Sequence, residues 1–575
     1  MQPAAAALLA LIPLRLLNAW LAGVADCDET YNYWEAVCVL AAPHPVRRPL
    51  QTWEYAPEFA LRSWAYVLPY AAFTKFMGDG AFLAVRLCCI ALPFALAEAS
   101  LVSGAHARFG SDTAWVLLGL LLSSAGHAAA APALVPSATI CALAAEAQGR
   151  WLQGNRRGAV FIAVLATLWP GWPFVGVLFV PLAVDVVVKD GLREALLLGV
   201  ASGLVIGLPC ALFDAKAYGR ATSPLWNVVT YNAVGGGDEL YGVAPWTYYA
   251  KNLGLNAGIA LVLVLTLPIT LFLQHVLARD PRRTASTVLT HAAPFLLWVG
   301  ILLLRPHKEE RFLFPAFPSL YVGAAASLDA GASALGALGA KFVTPRTTRR
   351  VLTMAALGAA AVLGVSRIAA LAVYYDHGQM TAWRAAAATA AKLGPEVTVC
   401  AGSEWHRFPG TLLLPSNARL GFVKSAFDGQ LPRPYAYDAD PLATTARDVR
   451  GFNGRNGGED NEYVVAADCD VAVDLRLDEG EQAVPGPYAV RGSGSALEVC
   501  YGAKHRSNTA TVVVDAFVAD VTVTAAGNGT RSVVRADELT ATYAFGRGAR
   551  ALFARGSPYV TVELDRGADV ELGSA

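Results

Sequence analysis

Charge is scarce in this chain. Only 16% of its 575 residues are Asp, Glu, Lys or Arg, where a soluble protein of this size carries about a quarter. The shortfall lies before residue 375. Neither sign is in excess, with 45 basic and 45 acidic side chains, so the basic surplus of a nucleic-acid binder is absent and no nucleic-acid partner is expected. Nine cysteines form no CxxC pair and no zinc spacing. Cys27, Cys38, Cys88, Cys89, Cys141 and Cys210 fall in the apolar part, where a small hydrophobic packing role is the default. No internal repeat is present, and the apolar runs are nearly free of ionisable groups. A transporter would place such groups within its spans and often repeats its halves, so this class is disfavoured.

What the chain has is apolar length: 55% hydrophobic residues and a mean hydropathy of +0.42. A helix needs roughly 20 apolar residues to cross a bilayer. Windows of that length occur near 5–24, 83–103, 113–131, 195–213, 253–278, 288–304, 312–328 and 351–373. The first run, Ala4 to Ala25, has the look of a signal peptide, but it leads directly into a charged run and more spans follow, so it reads as a transmembrane helix. Between 134 and 188 a run at 134–149 is followed by Arg150, Arg156 and Arg157, then by 158–188 broken at Trp169-Pro170-Gly171-Trp172-Pro173. Two shorter helices meeting at a turn are expected there.

Basic loops at His106–Arg108, Arg150–Arg157, Lys189–Arg193, Arg279–Arg283 and Arg346–Arg350 set the cytoplasmic side by the positive-inside rule. About eleven crossings follow. Residues 26–80, the loop 213–252, the loop around 307–311 and everything after Tyr374 then fall on the opposite face. Leu61–Met77, carrying Arg62 and Lys75, lies along the interface or re-enters. The expected organisation is a transmembrane domain over 1–375 with a non-cytoplasmic loop at 26–80, and a soluble domain over 376–575. In the latter a helical stretch at Thr381–Lys392 precedes alternating runs typical of strands: Val397–Cys400, Val471–Asp474, Leu497–Cys500, Thr509–Thr524 and Tyr559–Leu564. A small α+β or β-rich domain is expected. Two of Cys400, Cys469 and Cys500 could pair in an oxidising compartment, without the sequence choosing which. Asn528-Gly529-Thr530 is a glycosylation sequon, and residues 535–575 form an extension with no assigned role.

Against this apolar background two charged runs stand out: Asp26-Cys27-Asp28-Glu29-Thr30-Tyr31-Asn32-Tyr33-Trp34-Glu35 and His307-Lys308-Glu309-Glu310-Arg311-Phe312. Charge beside a membrane span is costly and usually does chemistry or transport. The competing readings are a solvated helix start for the acids, and snorkelling or pairing with Glu309 and Glu310 for the bases.

These runs, with Gln51-Thr52-Trp53-Glu54-Tyr55-Ala56-Pro57 and Arg62-Ser63, resemble the first luminal loop and second signature of the dolichyl-phosphate-mannose-dependent α-1,2-mannosyltransferases. Those enzymes build the lipid-linked oligosaccharide for protein N-glycosylation in the endoplasmic reticulum. Further likenesses are Pro132–Ser137, Leu240-Tyr241-Gly242 with Pro245-Trp246, Glu404-Trp405-His406-Arg407-Phe408-Pro409, Gly429-Gln430-Leu431-Pro432, and Cys469 with Val473-Asp474. Relatives that build glycosylphosphatidylinositol anchors or add an α-1,6 mannose typically read His-Pro-Asp-Glu where this chain has Asp26-Cys27-Asp28-Glu29. Residues 41–50 depart from the short Gly-containing link usual in the family.

The resemblance implies a mainly α, polytopic GT-C-type membrane enzyme with a luminal C-terminal domain. It implies a dolichyl phosphate mannose donor, a lipid-linked Man6 or Man8 oligosaccharide acceptor, and inversion at the anomeric carbon. Inversion in one step needs a carboxylate to take the acceptor's proton; Asp28 is favoured, with Glu29 beside it. Phosphate charge on the leaving group calls for cations at headgroup depth. His307, Lys308 and Arg311 would share one face of a helical turn. Arg62 is a further candidate for phosphate or for Asp28. Tyr31, Trp34, Trp53 and Tyr55, with Glu54 in the same run, and Tyr241 and Trp246 in a later loop, are candidate substrate contacts through ring stacking. Asp26-Cys27-Asp28 is formally Asp-x-Asp, but a lipid monophosphate gives a metal no diphosphate to hold, so neither metal nor cofactor is expected. A glycan-binding or scaffolding membrane protein is the remaining non-enzymatic reading.

Overall fold

A computed structural model describes residues 2–78, 80–234, 240–278, 285–340, 343–372, 377–425, 427–447, 451–458, 463–465 and 468–475, together with strands at 490–492, 497–501, 509–513, 521–523, 549–553 and 559–564. The sequon at 528–530 and the basic turn at 279–283 lie outside the described residues. Two compact units emerge. One comprises Met1–Ala22 and Phe59–Ala372, the other Gly23–Glu58 and Val373–Ala575. Residues 23–58 thus fold with the C-terminal part of the chain.

The first unit is helical. Among the described residues five helices are long and apolar enough to cross a membrane: Pro3–Leu21, Ala81–Phe109, Leu192–Ala217, Ala285–Leu304 and Pro345–Ala370. Each covers one of the apolar windows. The window at 253–278 is not one straight span. It breaks between Thr247–Ala257 and Ile259–Leu265 with a bend of 113°, at Gly258, whose φ of 53° is a conformation that favours glycine. The window at 113–131 likewise splits, into Ser111–Leu122 and Ala125–Ala130. The break expected around Trp169–Pro173 separates Arg156–Leu168 from a 3₁₀ stretch and the helix Val180–Asp190. Trp64–Met77 is a helix of 14 residues, about 21 Å long at 1.5 Å per residue and too short to cross a core of about 30 Å.

Small residues let these helices approach closely. A Cβ on Gly104 would lie 2.5 Å from the Gly149 carbonyl oxygen, and one on Gly149 would lie 2.7 Å from the Ser100 carbonyl. The backbones of Leu92–Phe109 and Pro136–Leu152 are therefore in contact, the packing that small residues allow where lipid supplies no hydrophobic drive.

The expectation that the spans carry almost no charge needs correction. Arg15, Glu98 and His127 are wholly buried. Arg15 donates to Glu98 at 2.8 and 2.7 Å and to the Leu121 carbonyl at 2.8 Å, and His127 Nδ1 lies 2.7 Å from Glu98. Arg86, 2% exposed, donates to the Ala22 and Pro132 carbonyls. These shared hydrogen bonds offset most of the cost of such burial, although Arg15 Nη1 and His127 Nε2 have no hydrogen-bond partner among the described residues.

The second unit is α+β. A four-stranded sheet has the order Ala418–Phe422, Val397–Ala401, Val471–Leu475, Leu497–Tyr501; its first two pairings are parallel and the last antiparallel. The core against it contains Trp383, Ala386 and Ala390 of the helix His377–Ala390, Val399, Leu420, Phe422 and Val471, and also Tyr31 and Leu50 from the first loop. Leu50–Gln51 pairs with Arg433–Pro434. Cys400 and Cys469 form the disulfide. It closes a loop of sequence separation 69, a constraint on the unfolded chain of about 4 kcal/mol. The stretch given no role at 535–575 supplies two strands, Ala549–Phe553 and Tyr559–Leu564, which pair with each other and with Thr509–Val513 in a three-stranded sheet.

Candidate active site

The first charged run begins a helix. Asp26 Oδ1 accepts the Asp28 backbone N–H at 2.9 Å, capping a start that widens into a π-helical turn, Glu29–Trp34, and continues as Glu35–Ala41. The two carboxylates meet different surroundings. Glu29 is buried, 2% exposed, and its Oε1 accepts the Trp34 indole N–H at 3.0 Å. Asp28 is only half-buried. Asp26, Cys27 and Asp28 bring potential ligand atoms within 4.8 Å of one another. They are the residues that could hold a cation in this loop, although acids converge at a helix start without one.

The aromatic residues of this loop point inward. Tyr31, Trp34, Trp53 and Tyr55 are 3%, 0%, 9% and 0% exposed, so none presents a face on which a sugar could stack. For Tyr31 the reason is the segment 404–411 of the same unit. Tyr31 donates its hydroxyl to the Trp405 carbonyl at 2.6 Å, and Thr30 donates to the Phe408 carbonyl at 2.7 Å. The Tyr31 ring packs with Trp405, Phe408 and Phe422. Gln379 spans Val24 and Arg407 through backbone hydrogen bonds. Glu54 accepts from Asn32 at 2.5 Å, and Asn32 accepts from Thr52 at 2.6 Å. The Glu404–Pro409 run is thus the seat of the first loop. Burial pushes the Glu404 carboxyl up, with Arg407 acting against it.

Glu35 is a residue to which sequence reasoning gave no role. It is fully buried and accepts from Leu50 N, Thr411 N and Thr411 Oγ1, each at 2.7 Å. Burial raises its pKa, and these donors and Arg47 pull it back to about 7. The available signal was an acid at the head of an otherwise apolar helix, Glu35–Ala41, which is tolerable only with dedicated partners.

The second run belongs to the helical unit. Residues 307–309 are irregular and a 3₁₀ turn begins only at Glu310, so the shared helical face expected for 307, 308 and 311 does not form. Glu309 instead joins two of them, pairing with His307 at 2.8 Å and with Arg311. His307 Nδ1 lies 2.9 Å from the Gly242 carbonyl and Nε2 lies 2.8 Å from Glu309. The Gly242 carbonyl and the Glu309 carboxylate thus offer acceptors to the two ring nitrogens of His307. Burial pushes the Glu309 carboxyl up, but Arg311 and the His307 hydrogen bond outweigh it and hold it at about 2. Glu310 accepts from Asn256 at 2.7 Å. Lys308 donates to the Arg305 carbonyl and stands 5.9 Å over the Tyr249 ring. Arg305, Lys308 and Arg311 against Glu309 and Glu310 leave the loop net positive. Tyr241 packs edge-on to His307, centroids 6.1 Å apart; Trp246 is 65% exposed. Arg62 belongs to the same unit, its carbonyl accepting the Tyr218 hydroxyl at 2.6 Å.

Residues 6–415 match the profile of the Alg9-like mannosyltransferase family. The chain belongs to this family. Among the relatives it resembles is the mouse alpha-1,2-mannosyltransferase ALG9, 33% identical over 491 residues, covering 81% of this chain and 78% of the relative. The human enzyme is likewise 33% identical with the same coverage. The Schizosaccharomyces pombe relative is 29% identical over 84% of this chain and 86% of its own. In three dimensions the chain is similar to ArnT from Cupriavidus metallidurans bound to undecaprenyl phosphate. The TM-score is 0.53 at 15% identity, over 82% of this chain and 91% of that one. That likeness shows the fold, a GT-C-type membrane architecture as expected from the sequence. A mannosyltransferase of the Alg9-like family therefore carries, in one unit, a paired-carboxylate turn fastened to segment 404–411 and, in the other, a net-positive loop at 305–312.

Proposed function

We propose that the chain transfers mannose from dolichyl phosphate mannose to a mannose 2-hydroxyl of a lipid-linked Man6 or Man8 oligosaccharide, with inversion, in the endoplasmic reticulum membrane with its active site luminal. The observation that carries the reading is the unequal pair Asp28 and Glu29. Glu29 is buried and engaged by Trp34, whereas the half-buried Asp28 can meet a hydroxyl and accept its proton as the hydroxyl attacks the anomeric carbon. The bond to phosphate breaks as the hydroxyl attacks, and the negative charge that builds on the leaving phosphate is of the kind that cations such as His307, Lys308 and Arg311 stabilise. The alpha-1,2-mannosyltransferase names of the relatives support the linkage. An undecaprenyl phosphate bound to the ArnT neighbour agrees with a polyprenyl phosphate carrier, and the Cys400–Cys469 disulfide suits an oxidising lumen.

The test is transfer by the purified full chain, with dolichyl phosphate mannose as donor and lipid-linked Man6 or Man8 glycans as acceptors, read by mass spectrometry. A longer glycan on these acceptors is the expected result. Equal transfer to a glycosylphosphatidylinositol precursor would reassign the acceptor to the related enzymes. No product on either would remove the reading.

A further inference from the structure

The reaction above leaves Glu35 without a task. Its carboxyl group sits in the core of the second unit, and its partners come from two distant stretches of chain, Leu50 and Thr411. A cap of the backbone N–H groups alone would not need a buried ionisable group, which is costly. The neighbouring contacts suggest what the group is for. At its front end the turn Glu29–Trp34 is held to segment 404–411 by Thr30 on the Phe408 carbonyl and Tyr31 on the Trp405 carbonyl. At its rear end the hold is Glu35 on Thr411. Gly410, with φ of 131°, brings Thr411 in closely: a Cβ there would lie 3.4 Å from Trp34 Cβ and 3.8 Å from Glu35 Oε1.

We propose that Glu35 is a positioning residue for mannosyl transfer: by gripping Leu50 and Thr411 it fixes the Glu29–Trp34 turn and so the direction in which Asp28 presents its carboxylate. This rests on the reading of Asp28 as the base. The donor pattern selects a carboxyl group. The two backbone N–H groups address different oxygens, Leu50 on Oε2 and Thr411 on Oε1, so an amide would confront one of them with its own NH₂ whichever way it turned. A carboxyl group serves both in either protonation state, because the Thr411 hydroxyl donates to the carboxylate and, by rotating, accepts from the acid. Arg47, Cys38, Tyr31 and Tyr435 are the titratable groups that feel this charge.

The experiment measures kcat and KM of the purified full chain with dolichyl phosphate mannose and a lipid-linked acceptor, normalised to monodisperse protein. Glu35→Gln is expected to lower kcat about 30-fold, inside the range of about 100-fold that an ångström of misplacement costs, with KM for the donor unchanged. Thr411→Val keeps volume and loses the hydroxyl, and should lower kcat about fivefold, the worth of one hydrogen bond. Thr411→Ser should recover most of that loss. Should Glu35→Gln fail to fold, the Thr411 pair decides. A valine variant as fast as the parent with a slower serine variant would indicate packing and overturn the proposal, as would a Glu35→Gln effect confined to KM. Asp28→Asn in the same series separates the two levels. If it retains full rate, the base reading fails; if it is inactive while Glu35→Gln and Thr411→Val keep the parental kcat, only the positioning role fails.

Discussion

Asp28→Asn should lower the rate of mannosyl transfer by between about 100- and 10,000-fold, the range in which a general base contributes. The substitution is nearly isosteric and keeps the backbone hydrogen bond from Asp28 N to Asp26, so folding should survive while the ability to accept a proton is lost. Glu29→Gln should cost less. Its amide oxygen can still accept the Trp34 indole N–H that Glu29 holds at 3.0 Å, and no proton transfer is assigned to it. Initial rates at saturating donor compare the two. A larger loss for Glu29→Gln than for Asp28→Asn would exchange their roles.

The largest effect on stability is expected at Glu98. Glu98→Ala leaves Arg15 wholly buried without the two hydrogen bonds to its carboxylate partner and deprives His127 of its acceptor. Breaking one side of a buried pair costs about 3–5 kcal/mol because the other charge is stranded. Monodisperse yield in detergent and the unfolding temperature should both fall sharply. Replacing both charges, Arg15→Met with Glu98→Leu, should restore part of the loss, since an apolar pair of similar volume removes the stranded charge. Recovery stops short because His127 still lacks the Glu98 oxygen that lay 2.7 Å from its Nδ1, and the Leu121 carbonyl keeps the Ser124 N–H but loses the hydrogen bond from Arg15. A Glu98→Ala protein as stable as the parent would contradict the account of this cluster.

Glu98 also illustrates what could be read in the sequence. Hydropathy located the starts of four of the long helices to within three residues and that of Pro345–Ala370 to within six, because a bilayer demands unbroken apolar length. The same averaging hid Arg15, Arg86 and Glu98, whose partners lie on distant stretches of the chain. In the second unit, strands at 397–401, 471–475 and 497–501 announced themselves by alternation. Ala418–Phe422, interrupted by Arg419 and Gly421, did not. The first loop shows the division most clearly. Its residue types marked Asp28 and Glu29 as chemistry, but the rings beside them read equally well as sugar platforms. Only the hydrogen bonds to 405, 408 and 411, some 375 positions later, reveal Tyr31 as core and Glu35 as a clasp. The second loop held a similar surprise, since Glu309 gathers His307 and Arg311 without the helix that spacing had suggested.

The most direct measurement of the central claim is the linkage of the product. The purified full chain is incubated with a lipid-linked oligosaccharide and either dolichyl phosphate mannose or a nucleotide-linked mannose, and the released glycan is digested with a mannosidase specific for α-1,2 bonds. Transfer is predicted from the dolichyl donor alone, with every added mannose removed by that enzyme. Transfer from the nucleotide sugar, or an added mannose that resists digestion, would contradict the account.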